Sequence, residues 1–464
     1  MRTLIALAAV LAAALPAAAQ TGTLTPVAGA LPFDVTLKPV QIPGIPALHS
    51  YAVAQSGGQW LLTTGRRNGL HTIDTTLVNA FPPAEANDSV YVVDPAARRV
   101  WSAGLSTLPA RQADALTVSN ANAWQDGDWL YLIGGYGRST TRADSMLTFG
   151  TLTAVNVPAM IAAVKARASL ASSVQQVDTF ALKVAGGQLV KMDDRFYLVM
   201  GQRFDGLYSA NPGYWDQFVQ IYTEQVMVLS ITPSPLRYAI TGVIAQDPNA
   251  WARNFHRRDL NVVPQVDTTG AHRLAVYGGV FVPGQDAAYQ VPVYVLDDST
   301  ARTDSTFFQA MGQYDAAYLP VFDGTTMYTA LFGGISLYTI DNDRRQLHRD
   351  TGLPFSDDVS VIVAAPDGTS KQWAYTWSLP ALMGADAHVI LSPTAPADAM
   401  GIVRIDSLMQ GDSIRVGWLY GGIVSSTPQT DDQAMQTWAS NAVYEVWITR
   451  TPTAAYALPT SSPE

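Results

Sequence analysis

Eleven side chains stand out for the chemistry they could do together. Arg66, Arg67 and His71 follow an apolar run that closes on Gly65. Arg203 and Asp205 follow a similar run that closes on Gly201. His256, Arg257, Arg258 and Asp259 stand just before the apolar stretch LNVV, and Tyr314 and Asp315 take the same place in QYDAAYLP. A guanidinium is a planar fork that holds a carboxylate through two hydrogen bonds. Aromatic faces nearby stack on sugar rings or side chains. Tyr136 beside Arg138, Phe204, and Tyr208, Tyr214, Trp215 and Phe218 in YSANPGYWDQF are placed to supply them. Gathered at one mouth, these groups suit an acidic sugar or an acidic peptide.

The competing reading is structural. Arginine beside aspartate on neighbouring strands often only neutralises itself. By the same reasoning His49 and His256 are hydrogen-bonded residues at strand entries. His71, His272, His348 and His388 show no metal-ligand spacing, and DNDRR at 341–345 lacks the bidentate Glu of a calcium loop. No metal or cofactor is therefore expected. There is no G-x-S-x-G elbow, phosphate loop, H-E-x-x-H pair or dinucleotide fingerprint. Four of the 38 acidic residues are Glu (Glu85, Glu224, Glu445 and Glu464). Acid–base catalysis would thus fall to Asp, His, Arg or Tyr.

The elements that must position these groups come next. The chain has 464 residues, of which 48% are hydrophobic and 14% charged. That composition supports a large core and excludes a disordered or coiled-coil protein. A net charge of -10 argues against nucleic acid as a partner. Asp-rich acid usage favours turns over helix interiors. Residues 1–19 have the form of a signal peptide, with Arg2 before an apolar run and Ala17–Ala19 at the cleavage position. No further stretch is long and apolar enough to span a membrane. The absence of Cys leaves packing and closure as the sources of stability. The mature protein is expected to be exported to the periplasm, cell surface or medium, as a monomer.

An apolar run ending in glycine recurs along the chain. WLLTTGR ends at Gly65, WLYLIGG at Gly134 and Gly135, and RFYLVMG at Gly201. RLAVYGG ends at Gly278 and Gly279, MYTALFGG at Gly333 and Gly334, and IRVGWLYGG at Gly421 and Gly422. Before each lies a tight polar turn, and usually another apolar run: HSYAVA, ALTVSN, NVVPQV or DAAYLPV. This is a hairpin pattern. Third strands are expected at VYVVDP, SMLTFGTL, QVMVLSIT, VPVYVLDD, VSVIVAAPDG and VYEVWITR, and fourth strands at RRVWSAG, LRYAITGVI, STFFQAMG and WAYTWSLP. Six such units point to an all-β, six-bladed β-propeller over residues 20–450 with a Pro/Ser/Thr tail at 451–464. The last unit lacks its outer strand, so residues 33–46 are expected to complete that blade and remove its exposed edge. Residues 158–177, rich in Ala, predict a helix inserted between the second and third blades.

The glycine pair followed by an Asp-led turn and Trp, as in VYVVDPAARRVW with Asp94 and Trp101, resembles the kelch repeat. The resemblance implies a kelch-type propeller whose long loops, at 66–89, 136–144, 202–224, 280–290, 335–358 and 423–441, share one rim. That rim and its strand entries carry the eleven residues. The fold names no single activity. Without Cys, the tyrosine–cysteine cofactor of kelch-type copper oxidases cannot form. Two functions follow. One is a non-catalytic binding module for a glycan, a peptide or a cell-envelope protein. The other is a carbohydrate-active enzyme on acidic sugars, similar to kelch propellers that isomerise sialic acids. An enzyme should keep a basic and an acidic group free of each other near one pocket centre. In a binding module those charges should neutralise one another.

Overall fold

The computed structural model describes residues 23–71, 81–142, 145–206, 218–247, 252–285, 287–406, 411–429 and 436–462. The expected signal segment lies outside them, as do Tyr208, Tyr214 and Trp215. Of the described residues, 54% are strand. Sheet I runs His49–Ser56, Gln59–Arg66, Ser89–Asp94 and Arg99–Gly104. Sheet II runs Asn122–Asp126, Trp129–Ile133, Thr151–Asn156 and Val174–Asp178. Sheet III runs Gln188–Met192, Arg195–Val199, Gln225–Pro233 and Leu236–Ala245, and sheet IV Arg258–Val266, His272–Val280, Val293–Val295 and Ala301–Thr303. Sheet V is built on Ala317–Phe322, Met327–Phe332, Asp358–Ala364 and Ser370–Ser378. Sheet VI is built on Leu382–Leu391, Ser413–Ser425, Val443–Thr449 and the N-terminal Asp34–Val40. The first strand of each sheet touches the first strand of the next, and that of VI returns to that of I. A closed circuit of small antiparallel sheets is consistent with a β-propeller.

The glycines bring these sheets together. An added Cβ on Gly134 would stand 1.8 Å from the carbonyl oxygen of Val184, at the entrance to sheet III. Gly135 N–H donates to that same oxygen at 2.9 Å. The contact recurs from sheet to sheet. Gly65 donates to Val118 O at 2.7 Å, Gly201 to Arg257 O at 3.0 Å, Gly334 to Met383 O at 3.1 Å and Gly422 to Leu48 O at 2.9 Å. The last of these joins sheet VI to sheet I.

Segments near both ends of the described chain are paired into sheets. Asp34–Val40 pairs antiparallel with Val443–Thr449. Thr453–Ala457, within the expected tail, is a strand that adds to Ser370–Ser378 of sheet V and pairs on its other side with Pro26–Leu31.

Four local expectations need correction. The helix expected over 158–177 spans Val157–Ala166, ends at Arg167 in the left-handed region (φ 54°), and lies between the third and fourth strands of sheet II. Beyond it, Val174 and Val177 join the strand Val174–Asp178, where β-branched residues pack well. ALTVSN is not a first strand: Ala110–Leu116 is helical and the strand starts at Asn122. SMLTFGTL is divided. Ser145–Thr148 joins a rim sheet with Tyr136–Ser139, Gln202–Gly206 and Phe218–Tyr222, and only Thr151–Asn156 belongs to sheet II. STFFQAMG is not a strand either: Ala301–Thr303 is the fourth strand of sheet IV, and Asp304 then captures the N–H and hydroxyl of Thr306 in a turn.

Asp358, at the start of its strand, is 4% exposed and accepts from Ile340 N–H at 3.0 Å and Ser356 Oγ at 2.8 Å. Burial pushes its carboxyl up to about 7, against the opposing pull of those two hydrogen bonds. The folded protein therefore binds a proton that the unfolded chain has already lost between the usual carboxylate range and pH 7. Stability from this group falls as pH rises through that window and levels off above it. Asp358→Asn removes the slope. In thermal melts from pH 4 to 8 the variant should gain on the wild type as pH rises, by about 3 °C at pH 8. Parallel curves would exclude a buried proton at this site.

Candidate functional site

A cavity of about 470 Å³ opens on the long-loop rim. Its floor is built from one residue of each sheet's entry: Ser50, Asn120, Gly186, Asp259, Asp315 and Asp386. All six have positive φ, from 52° to 64°. Where the register is continuous the cause is visible. Asp259 falls between the pairs Arg258↔Val280 and Leu260↔Gly278, opposite Gly279, whose φ is 91°. Ser50 and Asp386 sit likewise opposite Gly65 and Gly422. An irregular pair of left-handed residues thus breaks the ladder of these sheets at their inner end and turns a side chain toward the axis. The same six residues line a second cavity of about 260 Å³, so the ring divides two chambers.

Three adjacent members of the ring are Asp. Arg258 forms an ion pair with Asp259. Ser50 Oγ donates to Asp386 Oδ2 at 2.6 Å, and His49 Nδ1 lies 3.2 Å from that oxygen and 2.9 Å from Ser50 Oγ. Asp315 hydrogen-bonds Asp386 side chain to side chain. Burial, then the charge of Asp386, push the Asp315 carboxyl well above the usual range. Burial also raises Asp386, but hydrogen bonds from His49, Asp315 and Ser50 outweigh it and hold it below that range. The pair is an acid beside a carboxylate. Burial raises Asp259 as well, against the pull of Arg258. Asp259 Oδ1 and His49 Nε2 are buried without a hydrogen-bond partner. Among the described residues, no group of three is placed to hold a metal ion.

The walls are apolar. Phe81, Tyr136 and Phe204 form a chain of edge-on rings, with centroids 5.1 and 5.4 Å apart. Phe281, Ile335, Leu353 and Phe355 stand on the other side. Tyr136 is fixed by its hydroxyl, which donates to Gly206 O at 2.7 Å.

Of the eleven residues expected at one mouth, His71, Arg258, Asp259, Tyr314 and Asp315 line the cavity. The other six do not, and each is engaged elsewhere. Arg66 is buried, stacks on Phe81 at 3.8 Å and donates to Pro82 O. Arg67 pairs with Asp88 on the exterior. Arg203 and Lys183 both hold Asp205. His256 stacks on Tyr222 and binds Glu224. Arg257 is 0% exposed and donates to Gly278 O at 3.0 Å and Val291 O at 2.8 Å, a backbone clamp under the rim. His49, Ser50, Asn120 and Asp386 were not singled out as site residues. The signal for Ser50 and Asn120 is positional: like Gly186, each lies 15 residues before the glycine that closes the next apolar run, at Gly65, Gly135 and Gly201.

No family model matches the chain, and no curated protein matches it. Among solved structures it is similar to one titled "Structure of YjhT", at 11% identity and a TM-score of 0.47, over 88% of this chain and 99% of that one. Among the described residues no helix is long and apolar enough to cross a membrane.

Proposed function

We propose that this chain is an exported, monomeric, kelch-type propeller of six blades, with sheet VI as the last, and that it is a non-catalytic module that binds a small glycan in its central cavity. One observation carries the reading: aromatic walls stand over a ring of carboxylate and hydroxyl groups in a space of about 470 Å³. Sugars present C–H faces to rings and O–H groups to acceptors, and small-ligand sites span roughly 300–1,000 Å³. The charges near the mouth are mostly neutralised in pairs, as at Arg258–Asp259 and Arg203–Asp205. Acidic sugars lose their support, because Arg66, Arg203 and Arg257 are committed to protein partners and the cavity floor is acidic.

A glycan screen on the mature protein, followed by titration calorimetry, tests this. Phe281, 38% exposed, packs within 4.9 Å of Arg258 on the cavity wall. Phe281→Ala should weaken binding about tenfold, the upper end of one aromatic contact. Arg203→Ala should leave it unchanged. A wild type that binds no glycan, or a Phe281→Ala variant with full affinity, would refute the reading. Arg257→Ala is not a usable probe, since it removes a buried clamp. One observation favours a second reading, an acid–base enzyme acting on the bound sugar: Asp315 and Asp386 put an acid next to a base. NMR of the sugar recovered from the same screen separates the two.

A further inference from the structure

We infer that the cavity floor takes an ammonium group, so that the ligand is an amino sugar; this rests on the glycan-binding reading above. Of the buried polar atoms of the floor, Asp259 Oδ1 calls for a donor, and His49 Nε2 does so in the neutral ring. Ser50 spends its hydroxyl proton on Asp386. The Nδ1 of His49 faces that same carboxylate, so in the neutral ring Nδ1 carries the hydrogen and Nε2 presents a lone pair. His49 is 4% exposed, lines the cavity, and its Nε2 meets no partner. Asp259 gives one oxygen to Arg258 and leaves Oδ1 buried and unpaired. Gly186 keeps the space beside that oxygen open: a Cβ there would lie 2.8 Å from Oδ1.

The charge balance points the same way. Among the described residues, the ionisable side chains on the cavity wall are His49, His71, Arg258, Asp259, Asp315 and Asp386, with Tyr136 and Tyr314 as phenols. Arg258 pairs with Asp259, His49 lies against Asp386, and Asp315 hydrogen-bonds Asp386, so on the described floor carboxyl groups outnumber arginines three to one. A carboxylate ligand would meet like charge in a low-dielectric space. A hydroxyl brings a single donor. An ammonium brings three donors and the opposite charge, and its hydrogen bonds to carboxylates are charge-assisted. The aromatic walls accept the sugar body and tolerate a cation over their faces.

Calorimetry with wild-type mature protein decides it, using four disaccharides of similar size: the β-1,4 dimers of glucosamine, N-acetylglucosamine and glucose, and a digalacturonate. The glucosamine dimer should bind at least about tenfold more tightly than the glucose dimer, the scale of one charge-assisted hydrogen bond. The digalacturonate should bind most weakly. Asp259→Asn and Asp315→Asn should each reduce the preference for the glucosamine dimer over the glucose dimer. Equal or tighter binding of the glucose or acetylated dimer would overturn the ammonium inference and leave the glycan reading standing. Preference for digalacturonate would overturn it in favour of an anionic ligand. No binding by any of the four would remove both. The ligand comparison uses the unaltered protein, so it stands even if a variant fails to fold.

Discussion

Gly134→Ala is expected to abolish folding or to cost more than about 4 kcal/mol, the range reserved for a change that damages the framework. Two effects combine. Gly134 has φ 67°, where an L-residue pays roughly 1–2 kcal/mol. The larger effect is steric, because the new methyl would overlap the Val184 carbonyl at 1.8 Å. That oxygen also accepts from Gly135 N–H at 2.9 Å and Asn122 Nδ2 at 3.0 Å, so moving it breaks both bonds between sheets II and III. Gly127 is the control within the same sheet. It has φ 56° and no atom within 4 Å of an added Cβ. Gly127→Ala should cost only the backbone term, about 1–2 kcal/mol. Urea denaturation of both variants separates conformational strain from close approach. Similar losses would mean that the glycine pairs serve backbone geometry alone and do not set the spacing of the sheets.

That distinction also explains how much could be read beforehand. The apolar runs and their glycines were legible because close approach of backbones admits few residues, and the same demand returns at every sheet. The floor of the cavity was half legible. Arg258, Asp259, Tyr314 and Asp315 stand at strand entries in a sequence that advertises charge. Asp386 does not: its glycine partner, Gly422, lies 36 residues on, past the excursion that places Val403–Arg404 against sheet V. Arg257 misled because it adjoins Arg258 in sequence. The irregular pairing at Asp259 sends Arg258 into the cavity while Arg257 turns into the backbone beneath. Arg66 and Arg203 misled for a different reason. Residue type gives the chemistry a guanidinium can do, but the partner is set by which carbonyl or carboxylate the fold brings near, and that depends on loops whose course has no periodic signal.

Removing residues 1–43 should leave a chain that cannot hold its native state, even though none of the described cavity residues is lost. The deleted segment carries Leu31, Phe33 and Val35, each 1% exposed or less. At about 1.5–3 kcal/mol apiece their burial contributes roughly 5–9 kcal/mol, comparable with the whole stability of many folded proteins. Phe33 also sits edge-on to Tyr328 at 5.2 Å, so the loss reaches the second strand of sheet V. The pairing from Asp34↔Thr449 to Val40↔Val443 would vanish, baring Val443–Thr449 as a free sheet edge and inviting aggregation. A permuted chain tests closure separately from composition. It begins at the exposed Gly44, runs to the native C-terminus, and then continues through a short linker into residues 26–43. Because Thr453–Ala457 and Pro26–Leu31 already lie antiparallel, with Tyr456 opposite Pro26, the new connection becomes a hairpin. The permutant should melt within a few degrees of the wild type while the truncated chain elutes as aggregate on size exclusion. A soluble truncated chain with an unchanged melting profile would show that the circuit of sheets closes through its inner strands and glycine contacts alone, and that the N-terminal strand only decorates the edge.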